Sequence, residues 1–411
     1  MKLAKIILLS CILALFYSIF RLFVSRTTDV AIHSSKPSVF WAVQPNYISP
    51  SPSENLKRIP PSMNYGMQSK EWYKYGNLDP YEVYNPFMKK CQLCHFTVRN
   101  NEQDSTTRDV ILSFMFSDIA GLLPFTRSLR TTGSKCRVFI FSDEKSMSKI
   151  TEDELMVLDR CSITLVKTGF SFSKMNWAEI ILLRYPVFYD FLFFRRHLID
   201  RVIIVDLYDT VFQGDPFTTS FKSEYFYFAE ENTTIENCWI NALWLQQAAP
   251  ESYEEIKNNK VLNAGLFLGG TLPVLRFLDI YLKFYENKRM NMTAPDQGYF
   301  NYVAYTIILK NEYFKAKILS GNDGIIVLNY FQEKETKFVL GNFKPKMASV
   351  YPLIIHQYDT RSEFRVSVLF ACPKGKLNTS TYIRGLDQVT DQEQYYDIKK
   401  NDEQQIEMEG F

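Results

Sequence analysis

Apolar and polar positions alternate in two rhythms from Asp109 onward. Short runs rich in β-branched and aromatic residues read as strands: Val110 to Phe116 (VILSFMF), Arg137 to Phe141 (RVFIF), Ile163 to Val166 and Val202 to Val205. Segments with helical spacing lie between them, at Leu122 to Thr131, Asp153 to Leu158 and Lys174 to Phe194. The last of these is strongly aromatic, and Pro186 predicts a break in it. Strand alternating with helix predicts an α/β fold, a mixed or mostly parallel sheet flanked by crossover helices. Further on, Glu224 to Ala229 and Val261 to Gly270 read as strands and Pro273 to Glu286 as a helix. A second helix opens at Asp296, and Val350 to Asp359 reads as a strand that delivers His356 and Asp359 at its end.

The rhythm is absent at both ends of the chain. Residues 1–5 carry two lysines, and residues 6–24 form an apolar run whose one charge, Arg21, lies close enough to the end to snorkel. The run is longer than a usual signal-peptide core and no small-x-small cleavage site follows it, so it reads as an uncleaved transmembrane signal-anchor. A cleaved signal peptide is the other reading, and either sends the rest of the chain into the secretory lumen. Residues 25–108 are rich in proline and polar residues and read as a lumenal stem, its second half laid on the domain surface by an aromatic cluster from Trp72 to Phe87. The α/β domain is expected over 109–375, followed by a polar, flexible tail over 376–411.

Composition narrows the classes further. With 47 Lys+Arg against 45 Asp+Glu the net charge is +2, which gives no bulk basicity for nucleic-acid binding. The 33 Phe and 25 Tyr suit a large, well-packed core, with sugar stacking as a lesser use. Four histidines leave little room for a His-rich zinc site. Six cysteines lie beyond the apolar run, an even number that fits disulfides in an oxidising compartment. The Cys91-x-x-Cys94 pair reads as structural, since no second pair and no thioredoxin-like context accompanies it. Sequons at Asn232, Asn291 and Asn378 agree with a lumenal address.

The chemistry gathers around RVIIVDLYDTVFQGDPF, Arg201 to Phe217. The strand Val202 to Val205 stops at Asp206, followed by Asp209, and carboxylates at the carboxyl end of a strand in an open α/β sheet occupy the usual ligand position. Hard cations such as Mg²⁺ or Mn²⁺ take such oxygen ligands and keep substrate phosphates in their remaining positions. The competing structural reading makes Asp206 a strand cap and Asp209 a turn residue. Downstream, VLNAGLFLGG offers Asn263 as an amide for a hydroxyl and Gly265 as a place of close backbone approach. His356 at a strand end is a candidate third metal ligand. Arg184, in the aromatic helix, is placed to reach a diphosphate or to form a salt bridge.

Taken in order, the paired Asp, FQGDPF, NAG on a strand, DQ at a helix start and HQYD at a strand end resemble a GT-A-fold, Rossmann-related nucleotide-diphospho-sugar glycosyltransferase of the DxD type. The resemblance spans roughly 109–372, and the anchor with its stem is similar to the type II single-pass Golgi arrangement of such enzymes. It implies Mn²⁺ or Mg²⁺ held by Asp206, Asp209 and His356, with Asp209 as direct ligand and Asp206 as the nucleotide- or water-mediated contact. The spacing Asp-x-x-Asp departs from the family's single intervening residue. Asn263, Gly265, Gln297, Arg184 and Asp206 are the implied substrate contacts. An inverting mechanism needs a carboxylate base, for which Asp296 is the first candidate and Glu230 or Glu231 the second. The implied partners are a sugar-nucleotide donor and a glycan, glycoprotein or glycolipid acceptor at the Golgi or ER membrane. Two other functions use the same features: a catalytically silent lumenal protein that binds glycans or partners, and a metal-dependent phosphoesterase, for which a fuller ligand set is missing.

Overall fold

The run DVILSFM forms β1 (Asp109–Met115), buried at every position, as a strand covered on both faces requires. In the computed structural model it is followed by α1 (Leu122–Thr131), β2 (Arg137–Ser142), α2 (Glu152–Arg160), β3 (Ile163–Lys167), α3 (Trp177–Arg195) and β4 (Arg201–Val205). The structure describes residues 91–99, 104–116, 119–168, 177–287, 296–331, 336–346 and 348–372. The chain divides into two units, Met1–Met63 and Asn64–Phe411, and every described residue belongs to the second. The expected anchor at 6–24, the stem up to residue 90, the tail over 376–411 and the sequons at Asn291 and Asn378 lie outside the described residues. Among the described residues no helix is long and apolar enough to cross a membrane.

Seven strands form one sheet in the order β3-β2-β1-β4-β7-β6-β8, completed by β6 (Phe226–Thr234), β7 (Lys260–Gly270) and β8 (Ala316–Leu319). The strands β3, β2, β1 and β4 are parallel, β7 runs against both β4 and β6, and β8 is parallel to β6. Among the described strands of this sheet β7 alone is reversed. The sheet is therefore mostly parallel with one reversed strand, as the expected mixed or mostly parallel sheet allows. A small second sheet has the order β5-β10-β9, built from β5 (Thr210–Phe212), β9 (Ile325–Val327) and β10 (Ile354–His356).

Both faces of the large sheet are covered. Ile111, Leu122, Phe125, Leu129 and Val138 belong to a core shared by α1 and the first strands. Further helices are α4 (Trp239–Ala248), α5 (Thr271–Asn287) and α6 (Asp296–Val303), and on the other side of the sheet Phe226, Phe228 and Phe267 meet Phe277 of α5 and Phe300 of α6, with Phe226–Phe277 ring centroids at 4.5 Å. Much of the aromatic content is thus core packing. Helix α3 continues through Pro186 without interruption. Its burial between the sheet and α5 outweighs the one hydrogen bond that proline removes.

Where β1 and β4 start side by side, Asp109 is 1 % exposed and takes a two-pronged bond from Arg201, at 2.7 and 2.8 Å. Arg201 also donates to the carbonyls of Asp104, Thr218 and Phe221, so its charge is satisfied from every side. Two disulfides staple the margins, Cys91–Cys161 and Cys94–Cys372. The two cysteines of the Cys-x-x-Cys pair thus bond to distant partners, and the segment around them, sequence-assigned to the stem, packs on the domain through buried Cys94.

Asp190 in α3 is 8 % exposed, and burial pushes its carboxyl up to about 7. Because the folded value lies above the unfolded one, the group costs nothing below the ordinary carboxylate range. The penalty grows as pH rises towards 7 and reaches on the order of 4 kcal/mol above it. Asp190→Asn is expected to melt higher than the native protein at pH 8 and to lose that advantage at pH 4.5. Thermal unfolding at the two pH values checks this, and a gain of equal size at both would rule it out.

Candidate metal centre and active site

The reversal of β7 builds the site. Val205 pairs with Leu266, and one step further the N–H of Asp206 donates to the carbonyl of Gly265 at 2.8 Å. The carboxyl end of β4 therefore lies against Asn263 to Gly265, and β6 brings Glu231 to the other side of the same stretch. The small sheet closes it, because Thr210 at the start of β5 sits opposite His356 at the end of β10. Asp206, Asp209 and His356 each present a ligand atom within 4.8 Å of the others, an acidic and histidine cluster able to hold a metal ion.

Two observations test whether these residues fit a cation. His356 is 1 % exposed, its Nδ1 lies 3.0 Å from Thr210 Oγ1 and 3.2 Å from Asp209 Oδ1, and its Nε2 is buried without a hydrogen-bond partner. A buried ring nitrogen without a partner is costly unless a ligand completes it. Gly265, in addition, lets both side chains close on the backbone, since an added Cβ would stand 2.4 Å from Asp206 Oδ2 and 2.8 Å from His356 Nε2. Two carboxylates and an imidazole converging here form a donor set that could hold a metal ion.

Electrostatics hold the cluster in place. Arg184 on α3, 7 % exposed, donates from Nη1 to Asp206 and from Nη2 to Asp296 and to the Ala264 carbonyl, the last at 3.0 Å. Tyr185 adds its hydroxyl to Asp296 at 2.6 Å. Burial alone would ease deprotonation of the guanidinium, but Tyr185, Asp296 and Asp206 hold its pKa well above the ordinary value. Asp206 is the open member, its side chain 43 % exposed, so the upward push its surroundings give the carboxyl is partly screened by water and is also opposed by Arg184. Burial pulls the imidazole of His356 down, yet Asp209, Asp206 and Glu231 raise it above its usual range.

Glu231 is fully buried and forms the other half of the site. Its Oε1 accepts from Asn263 Nδ2 at 2.9 Å and Gln297 Nε2 at 3.1 Å, while Oε2 is buried without a partner. Burial raises the carboxyl, and the Asn263 and Gln297 amides partly offset this. Gln297 also donates to Asn241 at 2.7 Å and accepts from the N–H of Ala264 at 3.2 Å. The structure thus places Asp206, Asp209, His356, Gly265, Asn263, Glu231, Gln297, Arg184 and Asp296 in one connected region.

Four sequence expectations change in detail. Arg184 is taken up by two carboxylates and a carbonyl, so it braces the site from behind. Asp296 is engaged by Arg184 and Tyr185, which leaves Glu231 as the base candidate that has a buried oxygen without a hydrogen-bond partner. Glu230 is half-buried, and the charged neighbours that act on it are Lys260 and Asp323, neither of which belongs to the cluster. Asp359 lies on a 3₁₀ turn, Tyr358–Thr360, since β10 ends at His356.

Several contributing residues escaped the sequence reading. Tyr185, Thr210 and Asn241 are among them, and only Thr210, adjacent to Asp209, carried a positional hint. Gln213 of the FQGDPF stretch is another. Its amide donates to the carbonyls of Phe343 and Pro352 at 3.0 and 2.8 Å and accepts the N–H groups of Gly341 and Phe343 at 2.8 and 3.1 Å. That clamp fixes the approach to β10 and thereby the placing of His356. A scan against protein-family models finds no match, and no curated protein sequence matches the chain.

Proposed function

We propose that this chain is a metal-dependent glycosyltransferase that moves a sugar from a nucleotide-diphospho-sugar donor to a hydroxyl of a glycan, glycoprotein or glycolipid. The observation that carries the reading is the cluster of Asp206, Asp209 and His356 beside Gly265, in which His356 Nε2 and Asp209 Oδ1 are buried without a hydrogen-bond partner. It lies at the carboxyl end of β4, where an open α/β sheet binds phosphate-bearing ligands. A GT-A-like arrangement accounts for the order in which the chain supplies these groups.

Asp206, Asp209 and His356 would hold Mn²⁺ or Mg²⁺, and such an ion, when bound, neutralises charge on a departing diphosphate. The chain's own residues position the rest. Arg184 aims Asp206 and opposes the upward push that burial gives its carboxyl, and Gly265 lacks the side chain that would push Asp206 and His356 apart. Asn263 and Gln297 fix one oxygen of Glu231, which leaves the other to accept a substrate hydroxyl or its proton. The two disulfides and the exposed Asn232 sequon support a lumenal address in the secretory pathway.

The test is a panel of sugar nucleotides offered to the purified protein with Mn²⁺, Mg²⁺ or chelator, scored for donor hydrolysis and transfer. At least one donor is expected to turn over with the metal and not with chelator, and His356→Ala is expected to lower that turnover by about two orders of magnitude or more. If the folded protein binds no donor in the presence of Mn²⁺, the reading fails and a silent glycan-binding role takes its place.

A further inference from the structure

We infer that the pole of the domain opposite the candidate metal centre is a docking surface for an anionic phospholipid bilayer. Strand β4 runs from Arg201 to Val205 and delivers Asp206 at its carboxyl end, so its amino end lies about 16 Å away by the rise of a strand. The segment leading into that amino end, Phe194 to Asp200 (FRRHLID), holds two arginines, a histidine and one acid. Three other elements are tied to it. Arg108, just before β1, donates to the His197 carbonyl at 3.1 Å, and Arg137 at the start of β2 donates to the Leu198 carbonyl at 3.0 Å. Thr271, at the start of α5, donates to the carbonyls of Asp200 and Ile199 at 3.0 and 2.8 Å. These bonds gather the end of α3, the starts of β1 and β2 and the first turn of α5, with Leu272, on one rim.

Two features of the rim point to lipid. The first is apolar exposure: Phe194 is 62 % exposed and Leu272 is 51 % exposed, although Phe193 beside them is buried. The second is charge. In the segment Phe194 to Asp200 and the two arginines bonded to it, Arg108, Arg137, Arg195 and Arg196 stand against a single carboxylate, Asp200. The guanidiniums of Arg195 and Arg196 lie over the rings of Phe191 and Phe193, 4.5 and 4.4 Å from their centroids, so cations and aromatic surface are held together. Capping of α3 accounts for arginines in its last turn. It does not account for Phe194, which gains nothing from the helix terminus. An exposed ring among guanidiniums fits the boundary of an anionic bilayer, where the ring enters at headgroup level and the cations meet lipid phosphates and carboxylates. A soluble polyanion would engage the charge and leave Phe194 and Leu272 in water. Docked by this rim, the domain turns the carboxyl end of β4 away from the lipid.

The experiment holds the full chain in phosphatidylcholine nanodiscs, which take up the apolar run 6–24, and sediments it with sucrose-loaded vesicles. The vesicles are phosphatidylcholine alone or with about 30 % phosphatidylserine, and empty nanodiscs set the baseline. Native protein is expected on the phosphatidylserine vesicles and not on the others, and to leave them as salt rises from about 0.1 to 1 M. Arg195→Gln with Arg196→Gln is expected to weaken partition about 25-fold, about fivefold for each cation lost. Phe194→Ala is expected to weaken it about tenfold at unchanged charge. Because Phe194 is mostly exposed, that variant keeps the fold whatever the arginine pair does to the end of α3. Equal partition onto both vesicle types, or a double variant that binds as the native protein does, would overturn the assignment. A Phe194→Ala variant of native affinity would overturn it too, and would give the rim to a soluble polyanion. Metal and donor are absent throughout, so the result stands apart from the glycosyltransferase reading.

Discussion

Gly265→Ala is expected to lower metal-dependent donor turnover by about a hundredfold, the usual penalty for displacing reacting groups by roughly 1 Å. The added methyl would stand 2.4 Å from Asp206 Oδ2 and 2.8 Å from His356 Nε2, far inside contact distance. Both obstructing atoms are the tips of side chains, so the clash is relieved by turning the ligands away and not by moving a strand. Mn²⁺ affinity should fall together with turnover while far-UV circular dichroism and the melting temperature stay close to native. An alanine variant that binds Mn²⁺ as tightly as the native protein would show that Asp206 and His356 are not the groups that hold the cation.

The largest stability effect is expected from Arg184→Met. This guanidinium is almost fully enclosed and reconciles Asp206 with Asp296, which without it would be two carboxylates and a buried tyrosine hydroxyl sharing one space. Breaking a buried ion pair from one side typically costs about 3–5 kcal/mol. Each kcal/mol lowers the melting temperature of a large domain by roughly 2–4 °C, so a drop on the order of 10 °C is expected. Arg184→Lys should rescue little, because one ammonium cannot reproduce a fork that reaches Asp206, Asp296 and the Ala264 carbonyl together. Adding Asp296→Asn to Arg184→Met should restore part of the loss, since it removes one of the stranded charges. Strictly additive losses in this double-mutant cycle would mean that the two groups do not depend on each other.

Local pattern made the large strands legible. VILSFMF and RVFIF are apolar enough to announce buried strands, and both are found with shifts of a residue or so at their ends. The acids and histidine of the candidate metal cluster were also visible, because Asp206 and His356 lie at strand ends and Asp209 follows Asp206 by three residues. The direction of β7 was not, since VLNAGLFLGG reads alike in either orientation and only its partners decide. Val350 to Asp359 shows a second limit. Its apolar content suggested a long strand, yet Pro352 lacks an N–H to pair, and Gln357 takes a left-handed φ of 57° that turns the chain, so only Ile354–His356 remain. Pro186 misled for the converse reason, as packing around α3 holds the helix through it. Tyr185, Asn241 and Gln213 act through partners dozens of residues away, which no local spacing records.

The bond between Cys94 and Cys372 has a mechanical consequence. Tension entering from the residues before Cys91 and leaving after Cys372 would travel along residues 91–94, across the sulfur bridge and out. The 278 residues of sequence separation it spans would be left off the load path. Reduction would move the load onto the strand hydrogen bonds, so a pulling experiment on the oxidised chain should extend it without unravelling the sheet, whereas the reduced chain should yield strand by strand.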